Sequence, residues 1–260
     1  MTSPFPIHRR SRAVRPSPVF LLVVALTAVG GALAWDAPVD STRAKAGVFV
    51  FVVFGWVVTL CLHEFAHAYT AWRAGDREVE LRGYLTLNPL KYSHPLLSIV
   101  LPMVFIALGG IGLPGGAVYV HTHNVSPRTQ RIISGAGPAV NALCAVLLLA
   151  VVRIWGSTDA HPAFWFGLSF LAFLQITATL LNLIPLPGLD GYGIVEPSLS
   201  YQTRRSLDQF KPFGMLILFA LLFTPAINQV FFDAVYALFE LSGVPSNWSR
   251  YGSYLTRFWT

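Results

Sequence analysis

The chain has 260 residues, of which 54% are hydrophobic and 12% charged, whereas a soluble domain carries about a quarter charged side chains. That composition excludes an ordinary soluble globular protein and makes a membrane-embedded one the default class. A net charge of +6 would suit a nucleic-acid binder, but the basic residues sit in short clusters between apolar runs; they read as topology determinants, and no nucleic-acid partner is expected.

Residues 1–16 carry Arg9, Arg10, Arg12 and Arg15 with three prolines and no periodicity. They read as a basic tail ahead of a single membrane-embedded domain over 17–260. The apolar run 18–35 is longer than a usual signal core, so although Ala32-Leu33-Ala34 resembles a cleavage site, an uncleaved anchor is expected. Further apolar runs cover 47–72, 96–113, 132–152, 163–186 and 212–241, the last with Pro225 in its middle. A bilayer core takes about 20 helical residues to cross, so the expected fold is an all-α polytopic membrane protein with about five to six transmembrane helices. Cys61 and Cys144 both lie inside apolar runs, and neither suggests a disulfide.

The run 96–113 is short and holds Pro102, Gly109, Gly110 and Gly112. Its flanks alternate, with Val79, Leu81, Leu85 and Leu87 on one side and Val118, Val120 and Thr122 on the other, which predicts two short β-strands. If they pair, both ends of 96–113 lie on one side and the segment is re-entrant. Charge bias favours this: with the basic tail inside, re-entry puts 13 of the 18 Lys and Arg on the inner side, and a spanning segment puts 11 there. The expected location is the cell membrane, multi-pass, with a cytoplasmic N-terminus.

Within the run 47–72, His63-Glu64-Phe65-Ala66-His67 is an H-E-x-x-H motif. The i, i+4 spacing puts both imidazoles on one helical face, where they can share a zinc ion, and Glu64 is the one formally charged residue of that run. Ionisable side chains are costly in a membrane segment and are usually functional. His63 lies 16 residues after Gly47, about 24 Å along a helix, past the middle of a roughly 30 Å core and so nearer the inner face.

A zinc site needs a third protein ligand, and Asp190 is the candidate, in the stretch Asn182-Leu183-Ile184-Pro185-Leu186-Pro187-Gly188-Leu189-Asp190-Gly191. The prolines end the helix there, and broken backbone at membrane depth is tolerated where it is buried or lines a polar cavity. An aspartate capping an interfacial turn is the alternative. Gly137-Pro138-Ala139-Val140-Asn141 supplies a third polar constellation. Gly137 permits close helix approach; Asn141 either hydrogen-bonds between helices or, alone or with Asn182, donates to a substrate carbonyl or the oxyanion formed from it.

In order, H-E-x-x-H, G-P-x-x-N and N-x-x-P-x-P-x-L-D-G resemble the motifs of the site-2 protease family of intramembrane zinc metalloproteases. The resemblance covers 62–191, about half the chain, and is nearest to compact members without PDZ or regulatory domains. It implies that His63, His67 and Asp190 coordinate Zn2+, that Glu64 is the catalytic base, and that Asn141 and Asn182 position substrate. The implied activity is metal-assisted hydrolysis of peptide bonds in membrane-spanning protein substrates within the lipid bilayer. A strand over 79–87 would hold such a substrate by edge pairing. The chain departs from similar members at Tyr92 and His94, where they carry a histidine and an aspartate; His94, His121 and His123 are read as interfacial polar residues.

Overall fold

The computed structural model describes residues 14–91, 100–107 and 125–257. Among the described residues four helices are long and apolar enough to cross a membrane: α1 (Pro18–Trp35), α2 (Thr42–Arg73), α5 (Pro127–Trp155) and α6 (Pro162–Leu183). Between α2 and α5 lie the short α3 (Glu78–Leu81) and α4 (Leu101–Ala107). After α6 come α7 (Asp190–Val195), α8 (Tyr201–Asp208), α9 (Gly214–Phe223), α10 (Pro225–Glu240) and α11 (Ser246–Thr256).

The long helices begin where local chemistry favours a start. Ser17, Ser41 and Ser126 each accept a hydrogen bond from a first-turn backbone N–H, and Pro18 and Pro127 occupy the first helical position, where no N–H is needed. Helix α6 is the centre of the bundle: 83% of its apolar window is buried, against 28% for α1 and 33% for α5. Lipid-facing apolar side chains account for the difference, as at Leu21 and Leu22 of α1 and Leu143 and Val146 of α5.

The helices have a clear polarity. Along α2 and α6, Val48 and Phe51 meet Gly167, Gly55 meets Leu171, and Thr59 accepts a 2.8 Å hydrogen bond from Gln175, so the two run parallel. Helix α1 runs against α2. At one end the Ser17 N–H donates to the Thr86 carbonyl at 2.8 Å, and towards the opposite end Gly30 and Gly47 let the two backbones touch. At the other, His161 before α6 bonds through Nδ1 to the Trp35 carbonyl at 2.8 Å. The end of α2 and the start of α5 share one end of the bundle, where Ala68, Ala71, Val79, Leu85 and Ile133 form a small core of their own. The chain between Arg73 and Pro127 thus leaves and returns at the same end, as a re-entrant segment would; most of 96–113 lies outside the described residues.

Two expectations are corrected. The strand expected through Val79, Leu81, Leu85 and Leu87 is the helix α3 followed by a 3₁₀ turn at Tyr84–Thr86. Asp76 accepts from the Glu78 N–H at 3.0 Å and closes the turn, Glu78 and Glu80 suit the first turn of a helix, and Gly83 and Leu87 are left-handed with φ of 77° and 56°. The alternation is no strand face either, because Val79 is buried and Leu81 is 86% exposed. Among the described residues there is no strand, so 79–87 offers no edge to a substrate; the partner segment with Val118, Val120 and Thr122 lies outside them. Against the expected five to six spans, the described residues hold four, or five if the pair Tyr201–Asp208 and Lys211–Phe223, bent by 46°, is taken as one. The run 212–241 is split because Pro225 forces Thr224 into extended backbone, leaving helices of 10 and 16 residues.

The α1–α2 contact is testable. A Cβ on Gly47 would lie 2.7 Å from the Ala34 backbone nitrogen, so Gly47→Leu is expected to destabilise the protein by about 1–3 kcal/mol. Thermal unfolding in detergent reads this as a lower midpoint; an unchanged midpoint would show that α1 does not pack there.

Candidate metal centre

His63 and His67 lie in the last third of α2, one turn apart, 5% and 6% exposed. Glu64, 2% exposed, sits about 60° further round the same helix from His67. The third member arrives from far along the chain. Helix α6 ends at Ile184, whose ψ of 128° leaves helical form before Pro185 and Pro187. Gly188, at φ 98°, passes close enough to Lys211 that a Cβ would lie 2.8 Å from its carbonyl oxygen. The chain then folds back, with Gly191 against the Leu183 and Ile184 carbonyls, and starts α7 at Asp190 beneath the end of α6.

The three candidate ligands converge. His63 Nε2 is 3.1 Å from His67 Nε2, and Asp190 Oδ2 is 3.2 Å and 3.3 Å from the two nitrogens. Four donors about 2.0–2.1 Å from a tetrahedral zinc stand about 3.3–3.4 Å from one another, so the spacing is that of three ligands around one ion.

The outer ring nitrogens fix the tautomers. Asn141 Oδ1 accepts from His63 Nδ1 at 2.9 Å, and the Ile133 carbonyl accepts from His67 Nδ1 at 2.7 Å. With both Nδ1 atoms as donors, both Nε2 lone pairs face the carboxylate, and Asp190 Oδ2 is buried without a hydrogen-bond donor of its own. Three lone-pair donors turned on one another repel unless a cation lies among them. Gly137 of α5 completes the cradle, because a Cβ there would overlap both imidazoles. The residues fit a zinc ion.

Helix α7 is held in turn by Glu196. Its carboxylate accepts from Gln130 of α5 at 2.9 Å and pairs with Lys211 at 3.1 Å, while Arg204 donates to its carbonyl at 2.9 Å. Tyr192 OH donates to Asp208, which also pairs with Lys211.

The structure therefore brings His63, His67, Asp190 and Asn141 into contact. Asn182 lies in the last turn of α6, 8% exposed, eight residues before Asp190. Sequence reasoning missed the Ile133 carbonyl and the Glu196 network. A backbone acceptor carries no side-chain signal, although Pro138, which supplies no N–H to the Ser134 carbonyl, marks an opened ladder beside it.

Known proteins agree with this chemistry. No family model matches the chain, and no solved structure does. Over 251 residues it is 57% identical to a Mycolicibacterium smegmatis protein named zinc metalloprotease Rip2, covering 96% of both chains. The protein of that name in Mycobacterium tuberculosis is 55% identical over 249 residues, 95% of this chain and 96% of that one. The chain belongs to the site-2 protease family of zinc metalloproteases. A Bacillus subtilis protein named zinc metalloprotease YwhC is 31% identical over 188 residues, 69% of this chain and 83% of its own. The protein is thus a zinc metalloprotease, and the His63, His67 and Asp190 cluster could hold its metal.

Removing the acceptor on His63 should loosen the metal. Asn141→Ala is expected to weaken zinc binding by about 10- to 100-fold in chelator competition, with Asn141→Asp recovering most of it. Gly137→Ala should lower zinc content as well, since the new methyl takes the space of the imidazoles.

Proposed function

We propose that this protease works inside the membrane, hydrolysing peptide bonds of membrane-spanning substrates, with His63, His67 and Asp190 as zinc ligands and Glu64 as general base. The observation that carries the reading is the convergence of two Nε2 atoms and one Oδ2 atom within 3.1–3.3 Å, the imidazoles on a helix long and apolar enough to cross a bilayer and the carboxylate just past the end of another.

Zinc bound there would supply Lewis acidity, drawing the pKa of water from about 15.7 towards about 7 and polarising a peptide carbonyl. Glu64, next to one ligand and one turn from the other, accepts the proton of the attacking water and returns it to the leaving amine nitrogen. Asn141 holds His63 with its lone pair towards Asp190, which leaves its amide Nδ2 as the end able to donate to a developing oxyanion. Asn182 is the second candidate donor. The substrate must be extended where it is cut, because a helix engages the peptide groups in its own hydrogen bonds.

The proposed orientation has the N-terminus in the cytoplasm and the active site nearer that face. It is supported by the charge bias and by the shared end of α1's start, α2's end, α5's start and α6's end. Reporters inserted after residues 90, 125 and 158 should read inside, inside and outside; an outside reading at 125 contradicts the arrangement.

Chemistry is tested by Glu64→Gln, which keeps the shape and removes the base. Cleavage of a co-expressed model membrane substrate is expected to fall by about 100-fold or more with zinc content unchanged. Equal cleavage by the variant would overturn the proposed role of Glu64.

A further inference from the structure

Beyond Asn141 towards the end of α5, helices α5, α6 and the end of α10 border an open groove of about 540 Å³. Ala145, Val146 and Leu149 form one wall, Ile176 and Leu180 a second, and Leu238 a third. The polar groups along it are already engaged: Thr179 donates to the Gln175 carbonyl at 2.8 Å and Ser242 to the Phe239 carbonyl at 2.6 Å. The exception is Arg153, at the end of the groove remote from the metal centre. It is exposed, and its guanidinium makes no ion pair or hydrogen bond among the described residues. Gly243, at φ 72°, lets the turn after α10 close against it; a Cβ there would lie 3.1 Å from Arg153 Nε.

Magnitudes restrict the occupant. From Ala142 to Arg153 the groove follows α5 for eleven residues, about 16 Å, roughly half of a 30 Å hydrocarbon core. At about one leaflet in length, it is too short to seat a transmembrane helix along its whole span and suits an extended hydrocarbon chain. Depth agrees. Trp155 ends α5 two residues after Arg153, and Trp35 stands at the same end of the bundle; both are exposed, as aromatic side chains at headgroup level are. An unpaired arginine at that level, above an apolar slot one leaflet deep, matches a phosphate above its acyl chain.

We propose that this groove binds an anionic phospholipid of the leaflet remote from the metal centre, with one acyl chain along α5 and α6 and the phosphate on Arg153. The site is separate from the hydrolytic chemistry and stands whether or not that chemistry is as proposed.

The test uses the purified full-length protein, delipidated in detergent and titrated with dioleoyl phosphatidylglycerol or the net-neutral dioleoyl phosphatidylcholine, with bound lipid counted by native mass spectrometry. The wild type is expected to prefer the anionic lipid by about fivefold or more. Arg153→Ala should abolish that preference and Arg153→Lys keep part of it. Ala142→Trp or Val146→Trp, which fill the groove two or more turns away from Arg153, should reduce binding of both lipids. Zinc content measured on every variant separates these effects from loss of fold. Lipid retention unchanged in Arg153→Ala and in the tryptophan variants overturns the proposal. So does cross-linking of Ala150→Cys to a second copy or to a co-expressed membrane substrate, which would make the occupant a protein.

Discussion

Two imidazole lone pairs and a carboxylate oxygen facing one another within 3.3 Å are mutually repulsive, and much of this fold serves to hold them in that arrangement. The two rings come from one helix and need only its pitch. The carboxylate comes from a turn more than a hundred residues later, so α6 must end at the level of the rings and reverse sharply. Helix α5 crosses beneath with Gly137, Asn141 and the Ile133 carbonyl, which supply room for the rings and acceptors for their outer nitrogens. Each helix end near the centre is placed by that requirement. A metal ion held there would turn the repulsion into attraction, and the site and the bundle around it would then stabilise each other.

This division explains what was legible in the sequence. His63 and His67 could be read directly, because the helical repeat alone puts i and i+4 on one face. Asp190 could be read from Pro185 and Pro187, since a helix that must stop at membrane depth needs a polar reason for stopping. Asn141 was visible as a polar residue in an apolar helix, but its partner was not. The hydrogen bond to His63 joins residues 78 apart, and such tertiary pairings leave no local pattern. The Glu196 network was invisible for the same reason: Gln130, Glu196 and Lys211 become neighbours once α7 has folded back.

The segment over 79–87 was misread because alternation of apolar residues is a weak signal over so short a stretch. Side-chain closure at Asp76 and left-handed backbone at Gly83 and Leu87 outweigh it. Val79, Tyr84 and Leu85 still reach a core, by lying as a helical lid across the end of α2 and the first turns of α5. At 212–241 hydropathy was read correctly as apolar, but Pro225 and its extended neighbour Thr224 decide that the run is two helices.

The single hydrogen bond from Gln175 to Thr59, buried midway along the contact of α2 and α6, acquires a particular importance in lipid. Apolar helix faces slide past one another at little cost when the surrounding solvent is equally apolar. A slip of one turn is about 5.4 Å, larger than any separation among the three ligating atoms. The amide and hydroxyl therefore act as a vernier, setting the axial register of two otherwise greasy surfaces finely enough that an acid on one can meet a pair of rings on the other.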